Sequence, residues 1–73
     1  MEKILKIINI VLDNRDKLRI SKISKSSHLR NDCGLDSLDL AELTVRIESE
    51  YDVDIFENGH VETVGDIMNK INE

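Results

Sequence analysis

Apolar residues near the start of the chain recur at the spacing of an α-helix. They fall at i, i+3, i+4, i+7 and i+8: Ile4, Ile7, Ile8, Val11 and Leu12. Positions with this spacing lie on one face of a helix, and such a face is usually buried. The pattern predicts a first helix, roughly Glu2 to Asn14.

Residues 15–36 lack helical periodicity and are rich in Ser, Lys and Arg. A connection this long is uncommon in a compact domain unless it is functional or held by its own apolar residues. The alternation from Leu18 to Ile23 could form a short strand, but no partner strand is evident, so a loop is predicted. Four apolar side chains are expected to pin it: Leu18, Ile20, Ile23 and Leu29.

A second helix is predicted to start at Ser37. Asp36 is a good N-cap, and Asp39 can return its side chain to the cap backbone as in a capping box. The helix carries two apolar stripes, one made of Leu40, Leu43, Ile47 and Tyr51, and a smaller, rotated one made of Leu38, Ala41 and Val45. The first stripe is assigned to the core. Periodicity alone favours equally a single wide core face and a second stripe that stays at the surface.

The last part of the chain predicts a turn and a further helix. Asn58-Gly59 is typical of a turn. Thr63 with Asp66 repeats the capping pattern, and a buried stripe follows: Val64, Ile67, Met68 and Ile71. The whole is predicted to be a single all-α domain, 1–73, built as a small three- to four-helix bundle with a long first loop.

Charge is distributed unevenly. Residues 1–31 hold eight basic and three acidic residues, a net of +5, whereas residues 32–73 hold two basic and twelve acidic residues, a net of −10. Acidic surfaces repel phosphate backbones and attract basic patches. Scattered acids are usually a solvated face, but their number between Asp36 and Glu57 favours a docking face. With 3% aromatic residues, base stacking on nucleic acid is not expected.

Composition also limits the chemistry. No general base, metal cluster or oxyanion loop accompanies Ser37, so no catalytic residue and no metal site is predicted, and the chain is not expected to be an enzyme. Cys33 is the single cysteine, which excludes an intramolecular disulfide and suits a reducing, cytoplasmic compartment. The apolar stretch from Ile4 to Leu12 is too short to span a bilayer.

These segments, in this order, resemble the acyl carrier protein family along nearly the full length of the chain. A first helix and a long loop precede Asp36-Ser37-Leu38, which opens the acidic helix. The runs Glu48–Ile55 and Thr63–Ile67 follow at the family's spacing. The Asp-Ser-Leu triplet alone is a weak signal, and its position in this helical frame makes the resemblance strong.

The resemblance implies that Ser37, flanked by Asp36 and Leu38, carries 4′-phosphopantetheine through a phosphodiester, with acyl groups bound as thioesters. It also implies that the protein is a monomer. Its partners would be a phosphopantetheinyl transferase and acyl-transfer and synthase enzymes with basic docking patches. The pathway would be fatty-acid or related (polyketide, specialised lipid) biosynthesis. The face read by partners would consist of Leu38, Asp39, Glu42, Val45 and Ile55.

The chain departs from the family pattern at two places, and two other functions stay open. Cys33 stands where the family usually has leucine. The stretch between Ile55 and Val64 is shorter than usual, which leaves the family's short third helix open. One alternative is an unmodified acidic helical adaptor that binds a basic protein partner. Another is a carrier for an amino acid or a polyketide chain, although Leu35-Asp36-Ser37-Leu38 does not match the Gly-Gly-His-Ser type of peptide carriers.

Overall fold

Three helices make up the fold in the computed structural model, which describes residues 2–55 and 61–71. They are α1 (Glu2–Asn14), α2 (Ser37–Tyr51) and α3 (Val64–Ile71). No β-strand occurs within these ranges. The all-α class is confirmed, and so are the start of α2 and both ends of α1. The predicted turn at Asn58-Gly59 and any short additional helix there lie outside the described residues.

Helices α1 and α2 pack antiparallel. At one end of the pair, Lys3 Nζ lies 3.4 Å from Glu50 Oε2, and at the other end Asn14 Nδ2 donates to Glu42 Oε2 at 2.8 Å. The predicted apolar face of α1 is buried in full, and the first stripe of α2 is buried except for its half-buried last residue, Tyr51. The core also includes Leu29, Cys33, Leu35, Ile55, Val61, Val64 and Ile67.

The long first loop is held by hydrogen bonds at two places. Asn9 on α1 brackets the backbone of Ile20: its Nδ2 donates to the Ile20 carbonyl and its Oδ1 accepts from the Ile20 N–H, both at 2.9 Å. Further along, Leu29 N donates to Glu62 O at 2.8 Å and Gly65 N donates to Lys25 O at 2.8 Å. On its way from α1 to α2 the loop therefore passes along the segment that enters α3, without forming a regular strand.

Three of the four apolar side chains that were expected to hold the loop contact the core. Leu29 is buried, and Ile20 and Ile23 pack against the core in half-buried positions. The prediction for Leu18 is wrong, because 90% of its surface is exposed. The neighbouring Lys17 directs its side chain to α2, and successive residues of an extended chain point to opposite sides. Leu18 therefore faces solvent.

Candidate functional site

The start of α2 is fixed by a reciprocal cap. Gly34 has φ +78°, a value that glycine adopts readily, and it turns the chain into the extended N-cap residue Asp36. Asp36 Oδ1 accepts from Asp39 N at 2.9 Å, and Asp36 N donates to Asp39 Oδ2 at 3.0 Å. The predicted capping box is confirmed. It leaves Ser37 exposed as the first residue of the helix.

Two cations from the first loop approach the same cap. Lys17 Nζ lies 2.5 Å from Asp39 Oδ2 and 3.3 Å from Asp36 Oδ2. Arg15 Nη1 lies 3.1 Å from Asp39 Oδ1, close enough for an ion pair, although this oxygen accepts no aligned hydrogen bond from the described residues. The first turn of α2 is thereby tied to the chain that leaves α1.

These contacts favour the ionised forms of Asp36 and Glu42. The backbone N–H of Asp39, together with Lys17, lowers the pKa of Asp36 from 3.8 to about 2. Hydrogen bonds from Asn14 and then Arg46 lower the pKa of Glu42. The hydrogen bond to Asp39 is the main cause that raises the pKa of Lys17. Near neutral pH the site is a network of opposite charges rather than a block of unpaired acids.

A further cation reaches the serine itself. Arg30 Nη2 donates to Ser37 Oγ at 3.0 Å. Arg30 lies in the turn of residues 28–34 that precedes the cap, and its side chain is exposed. The contact brings a guanidinium to an exposed hydroxyl at a helix N-terminus, where unpaired N–H groups and the helix dipole favour an anion.

The second apolar stripe of α2 lies at the surface. Leu38 is 68% exposed and Val45 is 64% exposed, and Ala41 between them is also exposed. Of the two interpretations of the helix pattern, the separate surface stripe is therefore correct. Glu42 stands beside it with 29% of its side chain exposed, held by hydrogen bonds from Asn14 and Arg46.

Two residues expected on the partner-facing surface are inside the protein. Asp39 and Ile55 each have 0% of their surface exposed. Asp39 is turned inward by the capping box and the cations of the first loop, and Ile55 packs into the apolar core. Neither side chain can be touched in this conformation, which is a correction to the face inferred from the sequence. Leu38, Glu42 and Val45 remain accessible.

Two kinds of alternative site find no support among the described residues, namely a reactive cysteine and a metal centre. Cys33 is buried, and burial raises the pKa of its thiol, which disfavours the reactive thiolate. Within residues 2–55 and 61–71, no cluster of His, Cys, Asp and Glu could hold a metal ion. None of the helices in the same ranges combines the length and the apolar character that a bilayer-spanning helix requires.

Sequence reasoning missed the three cations around the helix start, Arg15, Lys17 and Arg30. They belong to the first loop, where basic residues without periodicity are usually solvated. The only available signal was the excess of positive charge before residue 32, opposite in sign to the helix that follows.

Comparisons with known proteins agree with this geometry. The family described as "Phosphopantetheine attachment site" matches residues 3–68. Two proteins named "Acyl carrier protein", from two strains of Rickettsia bellii, are each 37% identical over 70 residues, covering 93% of this chain and 80% or 85% of theirs. A protein of the same name from Amoebophilus asiaticus is 34% identical over 67 residues, covering 86% of this chain and 80% of its own. No solved structure matches significantly.

Proposed function

Because the chain belongs to the acyl carrier protein family, whose members carry 4′-phosphopantetheine and are carriers rather than enzymes, we propose that Ser37 is its attachment residue. Acyl intermediates would then be held as thioesters on the arm. The observation that supports this most directly is the exposed Ser37 hydroxyl at the first position of a capped helix. A transferase can reach such a hydroxyl without unfolding any element.

The surroundings of Ser37 fit the cofactor. Its phosphodiester is an anion, and the start of α2 favours an anion through its free N–H groups and dipole. Arg30 lies 3.0 Å from the hydroxyl oxygen, and Asp36 and Leu38 flank the serine without covering it. When bound, the cofactor supplies the terminal thiol that forms thioesters. The protein supplies a rigid base for the arm and a surface for partner enzymes.

Membership of the family implies contact with acyl-transfer and synthase enzymes. For this chain, we propose that they dock through basic patches on the exposed stripe Leu38, Ala41 and Val45 and on Glu42 beside it. Complementary charge raises the association rate and specificity more than the affinity, which suits a carrier that visits several enzymes. We further propose a monomer, a cytoplasmic location consistent with the unpaired thiol of Cys33, and fatty-acid or related biosynthesis as the pathway.

Intact mass spectrometry tests the attachment residue. The protein is incubated with coenzyme A and a broad-range phosphopantetheinyl transferase. One phosphopantetheine is expected on the wild type and on Ser49→Ala, a matched control that removes another exposed serine of α2. None is expected on Ser37→Ala. An unchanged wild-type mass with several transferases would refute the proposal and favour the acidic adaptor.

A further inference from the structure

Among the arginines of the described part of the chain, Arg30 differs from the others in the partner of its side chain. Arg15 faces the carboxylates of the cap, Arg19 pairs with Asp13, and Arg46 pairs with Glu42. Within the same residues, the Arg30 guanidinium contacts only the neutral hydroxyl of Ser37. A guanidinium presents a planar fork of donors that suits the oxygens of a phosphate better than a single hydroxyl.

The backbone of Arg30 is held in place although its side chain is exposed. Arg30 N donates to His28 Nδ1 at 3.2 Å, and Arg30 O accepts from Gly34 N at 3.1 Å. The next residues lead directly into the capped start of α2. The guanidinium therefore projects from a fixed point toward Ser37, so little backbone freedom has to be lost when it binds a ligand there.

We infer that Arg30 is a positioning residue that binds the phosphate of the prosthetic arm and orients the arm at the start of α2. This inference rests on the proposed attachment at Ser37. During modification, Ser37 Oγ bonds to the phosphorus of coenzyme A next to pantetheine. The pyrophosphate P–O bond breaks, adenosine bisphosphate leaves with the electron pair, and the transferase takes the hydroxyl proton.

The product places the anionic phosphate beside the guanidinium. Its free oxygens stand two bonds beyond Oγ, the atom that Arg30 already contacts at 3.0 Å, so the side chain can bind them without movement of the backbone. Once attached, the phosphate would also lie close to the ionised Asp36, which forms ion pairs with Lys17 and Arg15. Arg30 adds the positive charge that offsets repulsion between Asp36 and the phosphate.

The test compares unmodified and modified protein in four forms: wild type, Arg30→Gln, Arg30→Lys and Lys22→Gln. Lys22 is an exposed cation of the same loop, so its replacement removes one charge without touching Ser37. Mass spectrometry first verifies complete modification of each form. The change in thermal midpoint on modification and the ³¹P resonance of the phosphodiester are then measured at low and high salt.

In Arg30→Gln, the change in thermal midpoint caused by modification is expected to be about 2–5 °C less favourable than in wild type at low salt. The ³¹P resonance is also expected to shift. Arg30→Lys should restore part of both effects, Lys22→Gln should leave both at the wild-type values, and high salt should reduce the difference. Equal midpoint changes and resonances in all four forms would overturn the inference, as would equal losses in Arg30→Gln and Lys22→Gln. Either result would leave the attachment at Ser37 intact, whereas absence of modification would refute the attachment itself.

Discussion

Lys17 Nζ lies 2.5 Å from Oδ2 of Asp39, a residue with no exposed surface although it belongs to the first turn of a surface helix. The same carboxylate closes the capping box by accepting from Asp36 N. Asp39 thus fixes both the path of the first loop and the start of α2, and the orientation of Ser37 depends on it. The Asp39 carboxylate therefore stabilises contacts inside the protein rather than facing solvent.

Replacing Asp39 by Asn should destabilise the protein. The amide keeps an oxygen that can accept from Asp36 N, but it loses the charge that faces Lys17. The loss of a charged hydrogen bond predicts a decrease of about 1.5–3 kcal/mol in the free energy of unfolding, with a larger decrease for Asp39→Ala because the cap is lost as well. Urea denaturation followed by circular dichroism measures both.

Glu48→Gln is the control for this substitution, because it removes a negative charge from an exposed position on the same helix. It should change the stability by no more than about 0.5 kcal/mol. Equal stabilities of Asp39→Asn and Glu48→Gln would show that the ion pair of Asp39 with Lys17 does not stabilise the fold.

Asp36 predicts a specific dependence of stability on pH. Its pKa is lowered from 3.8 to about 2 in the folded protein, so folding favours the ionised form. The stabilisation is fully present above pH 3.8 and is lost as the pH falls through 2. Thermal midpoints of wild type and Asp36→Ala should therefore differ most above pH 4 and converge as the pH falls toward 2. A difference that stayed constant from pH 6 to pH 2 would contradict this role.

The sequence predicted the local features of the site well. The helices follow from the spacing of apolar residues, and the cap at Asp36 follows from residue types three positions apart. Ser37 stood out because it opens the helix after that cap. These signals depend on neighbours along the chain and need no knowledge of the tertiary path.

The inward orientation of Asp39 could not be predicted in the same way. An acid in the first turn of a helix is normally a solvated or partner-facing group, and Lys17 lies 22 positions away in the sequence. Only the path of the loop, which Asn9 holds at Ile20, brings the two together. The exposure of Leu18 has the same origin, whereas the contact of Arg30 with Ser37 depends on the turn of residues 28–34.

Gly65 contacts the middle of the first loop. A Cβ atom at this position would lie 2.9 Å from the carbonyl oxygen of Lys25, which also accepts the Gly65 N–H at 2.8 Å. Gly→Ala inside a helix normally stabilises it by about 0.5–1 kcal/mol. Here the clash involves backbone, so Gly65→Ala should instead lower the free energy of unfolding by about 1–3 kcal/mol. Urea denaturation measures it, with the exposed Asn69→Ala on the same helix as the control. A gain in stability would show that the loop moves freely away from α3.

The exposure of the second stripe of α2 predicts that substitutions there weaken partner binding with little effect on the stability of the fold. Leu38 and Val45 are 68% and 64% exposed, so truncating both to Ala should change the free energy of unfolding by no more than about 0.5 kcal/mol per site. If partner enzymes bury these side chains, their loss costs about 1–2 kcal/mol of binding free energy, and modification of Ser37 at low protein concentration should slow by about 5–30-fold.

Ile10→Ala is the matched control, since Ile10 is an exposed apolar residue on α1 with 39% of its surface accessible. Initial rates from mass spectrometry, measured with one transferase, decide the question. Equal rates for the double variant and the control would exclude the stripe as the surface that this enzyme reads.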